Sequence, residues 1–283
     1  MAKIIDGKLI SQNLKDKVKT EVENLKRDGI YPCLAVIIVG SDPASRVYVN
    51  NKKKACEYTG IKSVEYALDE NTSQQELLEL IEKLNEDPEV NGILCQLPVP
   101  KHIDEKAIIN AISPAKDVDA FHPTNVGHIM IGDHTLLPCT PAGVIEMIDH
   151  CGIDLTSKNC VVIGRSNIVG KPMAMLLLQR NATVTICHSR TKNLSDITRQ
   201  ADVIVSAVGK INTLTSDMVK QGAVVIDVAI NRKDDGKLCG DVDFENVKEK
   251  ASYITPVPGG VGPMTISVLM KNTLNAAKSQ TGR

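Results

Sequence analysis

The sequence predicts an α/β protein in two lobes: an N-terminal α/β lobe and a C-terminal Rossmann-like, doubly wound parallel sheet, with the final helix packing back on the N-terminal lobe. Three observations carry this. Apolar runs of strand length alternate with amphipathic runs of helical period along the chain. Some strands, residues 34–39 above all, are apolar on both faces, as in a parallel sheet covered on both sides. One strand–turn–helix, at 160–180, carries glycines where a dinucleotide phosphate turn belongs.

In the first half, Ile10, Leu14, Val18, Val22 and Leu25 recur at helical spacing, and Gly29 stands where the helix should close. The strand at 34–39 follows. Ser41-Asp42-Pro43 then opens a helix reaching about Tyr58, with Gly60 ending it. A strand at 64–68 leads to Ser73 and Glu76, spaced as a capping box before Leu77, Ile81 and Leu84. Another strand at 92–95 precedes a helix from about Asp104. Residues 113–139 break the rhythm with Pro114, Pro123, Gly127, Gly132 and Pro138, and are expected to form an irregular connection of the kind that often carries function. Thr140-Pro141 starts the next helix.

The second half is more regular. Strands are expected at 160–163, 183–187, 203–208 and 224–228, with helices at about 170–180, 194–200 and 215–220. A Pro/Gly segment at 256–263 precedes a closing helix from Met264 to about Ala277. The expected domains are 1–139, completed by a returning helix at about 264–283, and 140–263.

Composition narrows the class. The chain of 283 residues is 42% hydrophobic and 24% charged, which suits a packed globular protein. A net charge of −1 offers no broad basic field for nucleic acid or an anionic membrane. The N-terminal apolar stretch stops at Asp6, and apolar runs are too short to span a bilayer, so a cytoplasmic protein is expected. Eight cysteines occur without a C-x-x-C pair, several inside apolar runs; they are expected to be reduced and mostly buried, with no metal site. Trp is absent and Phe occurs twice, so aliphatic side chains must build the core.

The dinucleotide signal lies at Gly164-Arg165-Ser166-Asn167-Ile168-Val169-Gly170, between a strand and a helix. Glycine permits a tight turn, and a helix N-terminus offers N–H groups to a pyrophosphate. The spacing departs from G-x-G-x-x-G: Ser166 replaces the second glycine and the third comes one residue late. Such a turn is purely structural about as often as not. Roughly 20 residues on, NAD enzymes place an acid for the ribose hydroxyl. Here that stretch is His188-Ser189-Arg190-Thr191, with no acid. Together with Arg165 it favours a 2′-phosphate, hence NADP; the plain alternative is two solvated arginines. Val208-Gly209-Lys210 would lie near the nicotinamide end, or form an ordinary turn.

In the first half, Tyr48 and Lys52 are four apart and share a helix face, with Ser45 one turn earlier. A lysine on a concave face can act as a general acid/base once desolvated. Lys52 also begins a Lys-Lys-Lys run, and such runs usually face water. Gln96 follows a buried strand, at the sheet edge where α/β proteins bind ligands. Asp117 and Asp119 lie in the irregular stretch and could equally be caps.

Seven motifs occur in order: Tyr48-x-x-x-Lys52, Gln96-Leu97-Pro98, Lys116-Asp117-Val118-Asp119, Pro138-Cys139-Thr140-Pro141, Gly164-Arg165-Ser166, Cys187-His188-Ser189 and the stretch from Pro256 to Thr265, PVPGGVGPMT. Together they resemble the bifunctional methylenetetrahydrofolate dehydrogenase/methenyltetrahydrofolate cyclohydrolase family, in its stand-alone bacterial form. The resemblance spans essentially the whole chain. It implies oxidation of 5,10-methylenetetrahydrofolate by NADP, then hydrolysis of the methenyl product to 10-formyltetrahydrofolate. By the same likeness Lys52 is the cyclohydrolase acid/base, Gln96 tunes it and Tyr48 stacks on the folate. Asp119 pairs with the pterin, and Pro258, Gly259, Gly260 and Gly262 line the folate. Gly164, Arg165, Ser166, Ser189, Arg190, Val208, Gly209 and Ile230 hold the cofactor. A homodimer with no nucleic-acid or membrane partner is implied as well. One departure is Ala120, where the family usually has glycine, so the loop beside Asp119 is expected to differ slightly. Three alternatives are weighed: a shikimate-dehydrogenase-like oxidoreductase, a dinucleotide-sensing module without chemistry, and a family member with dehydrogenase activity only; Lys52 and Gln96 argue against the last two.

Overall fold

The computed structural model describes residues 1–282. In chain order the elements are β1 (Lys3–Ile4), α1 (Gly7–Arg27), β2 (Cys33–Val39), α2 (Pro43–Thr59), β3 (Lys62–Leu68), α3 (Gln74–Glu86), β4 (Gly92–Cys95), α4 (Glu105–Ala111), α5 (Pro123–Ile131) and α6 (Cys139–His150). There follow β5 (Asn159–Ile163), α7 (Gly170–Gln179), β6 (Thr183–Cys187), α8 (Leu194–Thr198), β7 (Val203–Ser206), β8 (Val224–Asp227), β9 (Asn231–Arg232), β10 (Leu238–Cys239), α9 (Phe244–Val247), β11 (Tyr253–Ile254) and α10 (Val261–Gln280). The chain divides into two compact units: Gln12–Cys139 with the residues from Ile266 onward, and Met1–Ser11 with Thr140–Thr265.

The unit that begins at Gln12 holds a parallel three-stranded sheet in the order β3-β2-β4. All seven residues of β2 are buried, as a central strand apolar on both faces requires. One face of the sheet meets Leu77, Ile81 and Leu84 of α3 and Ile108 of α4. The capping box at Ser73 and Glu76 starts α3. Asp42 caps α2 by accepting from the Ser45 N–H at 2.7 Å, and Gly60 closes it at φ 77°. Within the same unit, the later part of α10 fastens onto the catalytic-lobe loops. Asn272 donates to the carbonyls of Val118 (2.8 Å) and Leu137 (2.7 Å), and Gln280 donates to that of Asn91 (2.9 Å).

The second unit holds a parallel six-stranded sheet in the order β1-β11-β8-β7-β5-β6. Val161, Ile163, Ile204, Val225 and Ile254 form its aliphatic core. From β5 the chain passes to β6 on one side and then returns to β7 on the other. Doubly wound sheets bind ligands at such a reversal, outside the C-terminal ends of the strands. Residues 1–11 belong here because β1 pairs with β11.

The structure corrects several expectations. The stretch 113–139 is not irregular throughout: it contains α5, started by Pro123, capped by His122 Nδ1 accepting from the Thr124 N–H (3.1 Å), and closed by Gly132 at φ 79°. The helix expected at 215–220 is a single 3₁₀ turn, Ser216–Met218, because Leu214 is held in a bridge to Val242. Strand β7 stops at Ser206 because the N–H groups beyond it turn to the Asp241 carboxylate. The β9–β10 hairpin, the short strands β1 and β11, and α9 were not anticipated; each is too short for periodicity to register. The eight cysteines are free, six buried and two half-buried. Among the described residues, no helix is long and apolar enough to cross a membrane.

Candidate active site

Helix α2 carries Tyr48 and Lys52 one turn apart. Lys53 and Lys54 face water, but Lys52 does not: it is 9% exposed, whereas Tyr48 is 42% exposed. The lysine run is therefore split, and its first member turns inward. The Lys52 ammonium donates to Gln96 Oε1 at 2.9 Å. Gln96 follows β4; its N–H donates to the Ile37 carbonyl (2.8 Å) and its side-chain amide to the Leu97 carbonyl (2.7 Å). With Nε2 so engaged, Oε1 is fixed toward the lysine. The Leu97–Pro98 peptide is cis.

The two acids of Lys116-Asp117-Val118-Asp119 separate by role. Asp117 is 3% exposed and accepts from the His122 N–H (2.8 Å) and Asn125 Nδ2 (2.9 Å), which ties down the start of α5. Lys116 donates to the Leu84 and Asp87 carbonyls at the end of α3. Both are structural. Asp119 instead shares its surroundings with Lys52 and the Cys139 thiol. Burial pushes its carboxyl above the usual carboxylate range, against the pull of Lys52. Burial also pushes the Cys95 thiol up to about 12 and the Cys139 thiol well up, so neither supplies a thiolate at neutral pH. Ala120 adopts φ 56° with its side chain buried. The loop thus keeps the left-handed turn that glycine favours, at a local cost of roughly 1–2 kcal/mol.

In the other unit, the expected cofactor residues emerge at one sheet edge. Strands β5 and β6 run in register, Ile163 beside Cys187, so Gly164-Arg165-Ser166 and Ser189-Arg190 leave the sheet side by side. Arg165, Ser166, Ser189 and Arg190 are exposed. On the other side of β5 lie Val208-Gly209 after β7 and, beyond them, Ile230 after β8; these three are exposed as well. A Cβ on Gly164 would lie 2.4 Å from the Ala207 carbonyl oxygen, and one on Gly170 would lie 2.3 Å from that of Gly164, so these glycines let the strand, turn and helix approach closely. The start of α7 is not an open anion seat. Ser166 Oγ accepts from the N–H groups of Val169 (3.1 Å) and Gly170 (3.2 Å), leaving the exposed side chains and the Ser166 O–H to face a ligand. Two cationic side chains beside hydroxyls fit a 2′-phosphorylated dinucleotide.

The 256–263 segment belongs to this unit. Gly260 is taken up by chain packing: a Cβ on Gly7 would lie 1.8 Å from its carbonyl oxygen. Pro258 is exposed, and Gly259 and Gly262 are half-buried. Thr255, just before the segment, accepts from the Asp227 N–H through Oγ1 at 2.7 Å.

Sequence patterning missed two buried acids, Asp227 and Asp241, 3% and 0% exposed. Asp227 accepts from the N–H groups of Asp241 (3.0 Å) and Val242 (2.9 Å). The available signal was an acid at the end of an apolar strand and another after Gly240, where any Cβ would strike the Asp227 carboxylate. Burial raises Asp227 to about 6. A carboxyl raised above its unfolded value contributes stability below the unfolded pKa and loses it as pH rises through the folded one. The unfolding free energy of Asp227→Asn, relative to the parent, is thus expected to move in favour of Asn by roughly 2 kcal/mol between pH 4 and 7. Denaturant titrations of both proteins across that range check it; a pH-independent difference would contradict it.

The fold and its two clusters define a class: a two-unit α/β enzyme whose Rossmann-type unit takes a phosphorylated nicotinamide dinucleotide. Comparison with known proteins places the chain within that class. It belongs to the tetrahydrofolate dehydrogenase/cyclohydrolase family, matching the model of that family's catalytic domain over residues 5–119 and of its NAD(P)-binding domain over 138–281. It is 63% identical over 279 residues to the bifunctional protein FolD of Acetivibrio thermocellus, covering 99% of this chain and 98% of the relative. Among solved structures, it superposes with TM-score 0.97 on the bifunctional FolD methylenetetrahydrofolate dehydrogenase/cyclohydrolase of Campylobacter jejuni, at 54% identity and 99% coverage of each chain. The FolD structure of Trypanosoma brucei, complexed with NADP and an inhibitor, gives TM-score 0.95 at 38% identity, covering 100% of this chain and 99% of that one. Shikimate dehydrogenase of Aquifex aeolicus gives TM-score 0.52 at 16% identity, covering 89% of this chain and 93% of that one, a likeness of fold alone.

Proposed function

We propose that this chain oxidises 5,10-methylenetetrahydrofolate to the methenyl cation with NADP and then hydrates that cation to 10-formyltetrahydrofolate, within one-carbon metabolism. The observation that carries the reading is Lys52: one lysine of a run of three, turned inward and hydrogen-bonded to a fixed glutamine. A dinucleotide sensor has no use for such a pair. The testing assay supplies methylenetetrahydrofolate and NADP to the purified protein. NADPH formation is expected with this substrate and not with shikimate; the reverse would favour the rival oxidoreductase.

Bound NADP supplies the hydride acceptor. The protein's part in that step is to position its reactants, since no protein base is required. Asp119 pairs with the adjacent N–H donors of the pterin edge, and Tyr48, exposed one turn before Lys52, stacks on the folate. Pro258, Gly259, Gly260 and Gly262 are assigned to the folate side. In hydration, Lys52 moves protons between water, the attacked carbon's hydroxyl and the departing ring nitrogen, while Gln96 Oε1 aims its amine.

Arg165, Ser189 and Arg190 are assigned to the 2′-phosphate, Gly164 and Ser166 to the turn beneath it, and Val208, Gly209 and Ile230 to the nicotinamide half. Arg165→Ala is expected to weaken NADP binding by ~1.5–3 kcal/mol, the worth of a charge-assisted bond, while NAD binding hardly changes. Titrating both cofactors checks this; equal losses would remove the 2′-phosphate role. A cytoplasmic homodimer completes the proposal. The edge strand β6, with Thr183, Thr185 and Ile186 exposed, supports association, which sedimentation reads directly.

A further inference from the structure

The Asp241 carboxylate is fully buried and gathers five donors from three places. Oδ2 accepts from Ser206 Oγ (2.9 Å) and the Val208 N–H (2.8 Å). Oδ1 accepts from the N–H groups of Gly209 (3.0 Å) and Lys210 (2.8 Å) and from Asn231 Nδ2 (3.1 Å). Its own N–H is held by Asp227, which is held in turn by Thr255. Three consecutive backbone N–H groups aimed at one anion form a concavity that elsewhere binds phosphate. Here the protein fills it with its own carboxylate.

The consequence follows from peptide planarity. In a trans peptide the carbonyl points opposite to the N–H. With the N–H groups of Gly209 and Lys210 turned to Asp241, the Val208 and Gly209 carbonyl oxygens point away from it. Gly209 lies at φ 79° with open space where a side chain would stand. The backbone at the end of β7 therefore presents carbonyl oxygens, a poor seat for phosphate and a good one for a cationic ring. The end of β6, two strands away in the sheet order, carries Arg190 and is the opposite.

We propose that Asp241 is a positioning residue that sets the polarity of the Val208–Lys210 loop and so fixes which way the dinucleotide lies: adenosine phosphate toward Arg165 and Arg190, nicotinamide over Val208 and Gly209. This rests on the dinucleotide assignment above. Asp241→Asn keeps the shape but turns an NH₂ group against N–H donors in either amide orientation.

The experiment measures binding of NADP and of adenosine 2′,5′-bisphosphate, which carries the adenine half alone, to the parent and to Asp241→Asn. NADP affinity is expected to fall about tenfold or more, because the relaxed loop must turn its carbonyls outward again, against the unpaired donor, before the nicotinamide can seat, while bisphosphate affinity moves less than about twofold, since its site lies at the end of β6. Ser206→Ala, which removes one donor and leaves the charge, serves where the Asn variant fails to fold, with the same split at smaller size. Unchanged NADP affinity, or equal loss of both ligands, would overturn the inference. Bisphosphate binding by the parent, and its loss in Arg165→Ala, tests the underlying assignment separately.

Discussion

Lys52→Met is expected to lower cyclohydrolase activity by ~10²–10⁴-fold, the usual worth of general acid/base catalysis, while dehydrogenase activity stays within roughly tenfold. The two chemistries place different demands on the site. Hydride leaves the methylene carbon as the nitrogen lone pair pushes in, so that step requires geometry and no proton transfer. Hydration requires water to lose a proton and a ring nitrogen to gain one. Lys52 lies where its amine is shielded from solvent and aimed by Gln96 Oε1 at 2.9 Å. Methionine keeps the chain length and its packing and removes the titrating group. Methenyltetrahydrofolate should then accumulate in the variant. Equal loss of both activities would make Lys52 a folate anchor, and unchanged hydration would return it to the solvated lysine run.

Asp119→Ala is expected to lower kcat/KM of both reactions by about 10²-fold, close to 2.7 kcal/mol, because both act on one bound folate. NADP affinity should hardly move. The carboxyl is raised by burial and faces Lys52 and Cys139, and alanine removes the acceptor assigned to the pterin. Asp117→Ala should behave differently: its carboxylate holds the start of α5, so the loss falls on stability before substrate binding. Normal folate KM in both reactions of Asp119→Ala would assign Asp119 a structural part like that of Asp117.

Much of this was legible in the residues. The alternation of strand and helix periods, the capping box at Ser73 and the fully apolar β2 each follow from local pattern, and each holds in the structure. The strand ends and the shortest elements were not legible, because they are set by contacts distant in sequence. Strand β7 ends where Asp241, 35 residues on from Ser206, captures the N–H groups of Val208, Gly209 and Lys210. Within the site, spacing placed Tyr48 and Lys52 on one helix face but could not say whether Lys52 faced water; burial by the fold decides that. Nor could it divide Asp117 from Asp119, since the distinction lies in what the fold brings to each carboxylate: the donors of His122 and Asn125 to one, Lys52 and Cys139 to the other. The expected pyrophosphate seat at the start of α7 is altered by Ser166, whose hydroxyl caps the helix. In a bare glycine turn those groups would be free.

In the proposed mechanism Lys52 carries the proton chemistry of the second reaction, and the first rests on positioning and cofactor. A single time course tests it most directly: parent and Lys52→Met, each given methylenetetrahydrofolate and NADP, with NADPH and the methenyl species followed together. The parent should form NADPH with little methenyl standing, and the variant should form NADPH at a comparable rate with methenyl rising in step. A variant that forms neither, or one that clears methenyl as fast as the parent, would remove Lys52 from that role.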